Sequence, residues 1–144
     1  MRTVRDDDGR TYLLVKRSGE SSLVRDPQTG EERYLPNDAL STDDGEPPLS
    51  AAAAGVPEAV RRTLTAVHTE QGLGLLLELV DRGAVSAVEL LDAYDLCESD
   101  LHGLLAELRA AGLVAECEVH GRRGYEPTDR AREAVGLLRD DGAE

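Results

Sequence analysis

The spacing of apolar residues changes once along this chain, near residue 57. Before that point, apolar residues come in short β-prone runs, Thr11–Ser18 (TYLLVKRS), Ser21–Asp26 (SSLVRD) and Glu32–Pro36 (ERYLP). Gly19-Glu20 and Asp26-Pro27-Gln28-Thr29-Gly30 separate them, and both are turn formers. The pattern predicts a small β-meander over residues 1–40. Thr3–Arg5 would add an edge strand ahead of the Asp6-Asp7-Asp8-Gly9 turn. Tyr12, Leu14, Leu23 and Tyr34 would form its one apolar face, too little for a sheet that stands alone. Residues 41–56 are polar, then Pro-Pro, then Ala-rich, and read as a linker.

From Pro57 the period becomes helical. Val60, Leu64 and Val67 recur at i, i+4 and i+7, and Gln71-Gly72 interrupts the run. Leu73–Asp81 is apolar nearly all round, which predicts a buried helix ending at Gly83. Ser86 with Glu89 three residues later fits a capping box, opening a helix over Ala87–Tyr94. A turn at Asp95-Leu96-Cys97-Glu98 follows. Then comes a helix with Ser99 as its cap and Leu101, Leu104, Leu105 and Leu108 as its core stripe. After Gly112, Val114–His120 reads as a strand and Gly121-Arg122-Arg123-Gly124 as a hairpin tip. Tyr125–Thr128 is the return strand, and a last helix, capped by Thr128 or Asp129, runs to Leu138. The expected fold class is α+β, an N-terminal meander followed by a helical domain over residues 57–144.

Leu108–Val114 has the form L-x-x-x-G-L-V, and Tyr125–Ala131 the form Y-x-x-T-x-x-A. On these motifs residues 72–135, about half the chain, resemble the MarR/ArsR/PadR class of winged helix-turn-helix transcription regulators. The resemblance implies a recognition helix at Ser99–Ala110 and a wing carrying Arg122 and Arg123 onto phosphate or into the minor groove. Many relatives of this class are dimers, which makes the Pro57–Thr69 helix a candidate dimer element. Residues 1–40 match no family whose function could be carried over.

With the leucine stripe turned inward, the other face of the third helix holds Ser99, Gly103, Ala106 and Ala110, flanked by His102, Glu107 and Arg109. It has no Asn or Gln, and no Arg at the end where base edges are usually met. Ser99, His102 and Arg109 are therefore its candidate DNA contacts, and shape and backbone contacts should outweigh base readout. Arg61-Arg62 could supply a second basic site, although a solvated helix face accounts for them more simply.

Charge complicates this reading. The net charge is −13 and the pI about 4.6, whereas a DNA binder usually carries a basic face. Yet Lys16 is the only lysine among 16 basic residues. Such an acidic, Lys-poor surface resembles proteins of extreme halophiles, above all haloarchaea, in which negative charge is a general solvation device. Phe and Trp are absent, so the core must be built from Leu, Val and Ala. Cys97, Cys117, His102 and His120 show no metal-ligand spacing, and the Asp6-Asp7-Asp8-Gly9 turn lacks a calcium loop's ligand pattern. No nucleophile elbow or phosphate-binding loop points to catalysis. With no signal peptide or membrane-spanning run, the expected location is cytoplasmic.

The expected function is thus a DNA-binding transcription regulator, without catalytic residues, cofactor or metal. Its expected partners are double-stranded DNA and a second copy of itself, with the meander as a surface for a possible protein partner. The alternative is a winged-helix adaptor between proteins that never touches DNA.

Clustered carboxylates repel over a Debye length of about 30 Å at 0.01 M salt and about 3 Å at 1 M. The chain should be loosened in dilute buffer and compact at molar salt. Thermal melts at both ends check this, and an equal or higher midpoint in dilute buffer would remove the halophile reading of the charge.

Overall fold

Antiparallel pairing organises the first part of the chain into a five-stranded sheet. Its strands are β1 (Arg2–Arg5), β2 (Thr11–Arg17), β3 (Ser21–Arg25), β4 (Glu32–Pro36) and β5 (Ser41–Thr42), in the order β4-β3-β2-β1-β5. The structure is a computed structural model and describes residues 1–42 and 46–139. Residues 43–45 of the expected linker and 140–144 of the expected helical domain lie outside the described residues. The fold is α+β and divides into two compact units after Pro57.

The first unit differs from the sequence reading in three places. β1 is not an edge strand, because β5 pairs with its far side through Val4↔Thr42 and Arg5↔Ser41. An unpaired strand edge is a row of unmet donors and acceptors, and Ser41–Thr42 meet some of them. Nor is 41–56 a featureless linker. It also contains helix α1 (Pro48–Ala53), which starts on a proline, packs against β1 and β2, and buries Ala51.

The third difference is the apolar face. Tyr12 and Leu14 do point into the core, but with Val4, Val24, Leu35 and Leu40. The register between β2 and β3 shifts between Leu14 and Lys16. Val24, not Leu23, pairs with Leu14, so Leu23 and its partner Tyr34 fall on the other face, where Tyr34 is 59% exposed; the irregularity sets Lys16 opposite Leu23.

The second unit runs α2 (Glu58–Ala66), α3 (Glu70–Arg82), β6 (Val85–Ser86), α4 (Ala87–Ala93), α5 (Glu98–Ala110), β7 (Val114–Val119), β8 (Arg122–Pro127) and α6 (Asp129–Arg139). β6, β8 and β7 form a second antiparallel sheet. The break before α3 lies at Val67–Thr69 rather than Gln71-Gly72. Thr69 Oγ1 accepts from the Gly72 amide at 3.0 Å, capping the helix so that Gly72 falls inside it. Ser86 caps α4 by accepting from the Glu89 amide at 3.2 Å. α2 buries Ala59, Val60 and Thr63 and leaves Leu64 61% exposed, because its small-residue face packs on α6. The expected Val60–Leu64–Val67 stripe therefore does not describe its buried side.

Leu75, Leu76, Leu79, Leu90, Leu101, Leu105 and Leu108 form the centre of the core, joined by Leu113, Val114 and Tyr125. α5 ends in a Schellman motif. The Gly112 amide bonds Arg109 O and the Leu113 amide bonds Leu108 O, both at 2.9 Å, with Gly112 at φ 75°. The carbonyls of the C-cap Ala111 and of the two residues after it are taken by the far side of the hairpin. Thr128 Oγ1 donates to Gly112 O at 2.6 Å, the Thr128 amide to Leu113 O at 3.0 Å and Arg130 Nη1 to Ala111 O at 3.0 Å. Thr128 Oγ1 also accepts from the Ala131 amide at 3.3 Å, capping α6. The two sequence motifs are thus the two halves of one hydrogen-bonded lock.

Thr128→Val keeps the side chain's volume but removes both hydroxyl bonds. Leaving such a group unpaired costs about 1–3 kcal/mol, and urea unfolding should show a loss in that range. A loss below about 0.5 kcal/mol, ordinary for a surface position, would mean the lock is not structural.

Candidate nucleic-acid interface

The hairpin β7–β8 turns on two residues, His120 and Gly121, at φ 52° and 79°. Both left-handed positions together mark a type I′ turn, which matches the twist of paired strands. The expected four-residue tip is therefore too long. Arg122 and Arg123 are not in the loop; they open β8, in register with Val119 and Glu118. Side chains alternate across a strand, so the two guanidinium groups leave opposite faces of the hairpin. Gly124 follows because β6 passes close by: a Cβ there would lie 2.8 Å from Val85 O and 2.6 Å from Val119 Cγ2.

Pairing sorts the arginines of this unit. Arg62, Arg82, Arg109, Arg130, Arg132 and Arg139 each have a carboxylate within 2.8–3.9 Å. Arg61 also has a partner. Among the described residues, Arg122 and Arg123 alone of the unit's arginines have neither an ion pair nor a side-chain hydrogen bond. Both are exposed. Glu118 faces Arg123 across the ladder without closing an ion pair.

On α5, Ser99, His102, Gly103, Ala106, Arg109 and Ala110 are all exposed, and Leu101, Leu105 and Leu108 are buried. The outward face is the expected one, but its cations are engaged. Arg109 is paired with Glu116 of β7 at 3.1 Å, and His102 Nε2 lies 3.6 Å from Glu98. Ser99 is not the cap: the helix starts at Glu98 behind Cys97, and Ser99 Oγ lies 3.3 Å from Cys97 Sγ. Arg61 and Arg62 lie on α2, a different element, and Arg62 is 3.9 Å from Glu58. Hairpin register separates the Arg109–Glu116 pair from Arg122 by about 10 Å of strand.

Other candidate chemistry is sparse. Burial pushes the Cys117 thiol up from its ordinary range, and the Glu126 carboxylate adds to this. Cys97 is exposed. Among the described residues, no group of three or more His, Cys, Asp or Glu could hold a metal ion, and no helix is long and apolar enough to cross a membrane. One feature had no counterpart in the sequence reading, a cavity of about 740 Å³ beside α3. Its signal was the ring of leucines on α3, read there as full burial; Leu73 is in fact 37% exposed and Leu77 half-buried.

A family model described as "Family of unknown function (DUF7346)" matches residues 1–139, and the chain belongs to that family. No curated protein and no solved structure matches the chain.

The environment of Cys117 predicts an unreactive thiol, since the thiolate is the nucleophile. A raised pKa keeps it protonated at neutral pH, and its reactivity should rise only above the usual thiol range. Iodoacetamide labelling of the folded chain should modify Cys97 first at pH 7. Faster labelling of Cys117 would contradict its burial.

Proposed function

Because membership of that family names no activity, we propose from the chain's own residues that the second unit is a winged helix-turn-helix of a DNA-binding transcription regulator. In this reading α4 and α5 are the helix-turn-helix pair, β7–β8 is the wing, and double-stranded DNA is the partner. The observation that supports it is the isolation of Arg122 and Arg123. In a unit whose other arginines are engaged, two unpaired guanidinium groups at an exposed hairpin end are what a phosphate contact requires. Their opposite faces suit a wing inserted edge-on into the minor groove, one arginine towards each wall. α5 contributes Ser99 and His102 at close range, and Arg109 only if it exchanges Glu116 for a phosphate. Backbone and shape contacts then dominate, and discrimination between sequences is modest. A homodimer belongs to the same reading, with the exposed Leu64 of α2 and Leu137 and Leu138 of α6 as its apolar contact.

A second reading has its own support. Glu98 and Asp100 occupy the first turn of α5, and Arg109 is neutralised by Glu116. That face would repel phosphate and could instead receive a basic protein partner, making the chain an adaptor.

The experiment is a titration of labelled duplex across a salt series, in the salt range where the chain is folded. Few phosphate contacts give a shallow dependence, since log K falls by about 0.9 per neutralised phosphate for each decade of salt. Replacing both Arg122 and Arg123 with alanine should weaken specific and random duplexes alike and flatten the slope by about one to two. His102→Ala should do less. Undiminished binding by the double variant would sink the wing assignment, and failure of the native chain to bind any duplex would favour the adaptor.

A further inference from the structure

α3 carries more apolar surface than its own unit covers. The cavity of about 740 Å³ opens between this helix and the Tyr94-Asp95-Leu96 segment that joins α4 to α5. Leu75, Leu77 and Leu96 give it an apolar lining, and its size is that of a small-molecule pocket. Gly74 lies on its wall in mid-helix, where a Cβ would meet nothing within 4 Å. Packing therefore does not demand glycine there.

The charges of the lining select the occupant. Arg139 is spent on Asp81 at 2.8 Å. Arg82 is held by Glu89 at 3.2 Å. Glu78 accepts the Tyr94 hydroxyl, and neither Glu78 nor Asp95 has a cationic partner among the described residues. A neutral apolar molecule seated here would strip water from two carboxylates and return nothing, a costly exchange. An anion would be repelled by both. A cation on an apolar body covers the leucines and answers the carboxylates together.

We propose that this cavity binds a small organic cation, an aromatic or aliphatic body carrying an ammonium-type head. The body lies against Leu77 and Leu96, and the head is held by Glu78 and Asp95. The site is independent of DNA binding and stands or falls separately.

Two dyes sharing a xanthene ring system, cationic rhodamine 6G and anionic fluorescein, test it by fluorescence anisotropy on the full chain. Rhodamine 6G should saturate at one site per chain, and fluorescein should show no uptake. Gly74→Leu should fill the cavity and weaken rhodamine binding by about tenfold or more, without lowering the melting temperature, since leucine favours helix over glycine. Glu78→Gln should weaken it several-fold. Equal uptake of both dyes, or undiminished affinity in Gly74→Leu, would overturn the proposal. So would non-saturating uptake that salt abolishes equally in every variant, the mark of general attraction to an acidic chain. Sedimentation adds one more outcome: a native dimer that takes up no dye and dissociates in Gly74→Leu would make the cavity a contact between copies instead.

Discussion

The carbonyl end of α5 is the constraint on which the helical unit depends. The Schellman turn takes up the carbonyls of Leu108 and Arg109, and the carbonyls that follow, at the C-cap Ala111 and at Gly112 and Leu113 beyond it, are met from the segment after β8. Because Thr128 answers Gly112 and Leu113, the hairpin's return strand must come back beside the end of α5. Because Thr128 also caps α6, that helix must begin at the same place. Gly112 is required by its backbone, and a side chain there would also displace Arg130. Its φ of 75° is left-handed, and a Cβ would lie 2.5 Å from Arg130 Nη1, a donor of the lock itself. The position of α5 relative to the hairpin, on which any reading of this surface rests, follows from these few bonds.

Electrostatics sets the second constraint. Carboxylates outnumber basic groups 29 to 16, so most arginines find an acidic neighbour whether or not it stabilises the fold. Such exposed pairs contribute little each, about 0–1 kcal/mol. Their consequence is for binding. A guanidinium already facing a carboxylate must give it up to meet a phosphate, and Arg109 shows this cost on α5. The two arginines that open β8 are free of it: Arg122 lies at the I′ turn opposite Val119, and Glu118, opposite Arg123, closes no ion pair with it. The same acidic excess has the opposite effect beside α3, where, among the described residues, Glu78 and Asp95 have no cationic partner beside an apolar wall.

Much of this was written in the sequence. The change of period near residue 57, the leucine stripe of α5, the Ser86 cap and the outward face from Ser99 to Ala110 are local properties. Each depends on residues within two or three turns of one another, and a 3.6-residue or two-residue period reports them directly. The two motifs around Gly112 and Thr128 were legible as well, although only the structure joins them. What the sequence could not decide were matters of partner and register. Ser41–Thr42 becomes a strand because β1 has an open edge, and no local pattern in two residues announces that. Val24 rather than Leu23 pairs with Leu14, which sends Leu23 and Tyr34 to the other face, a choice of register that periodicity cannot see. Arg109 counted as a free cation until β7 placed Glu116 within 3.1 Å of it. The ring of leucines on α3 fixed that it would be helical and apolar. Which of those leucines would be buried, and which would line a cavity, was decided only when α2, α4 and α6 took their places, because burial belongs to the neighbours a helix acquires and not to the helix itself.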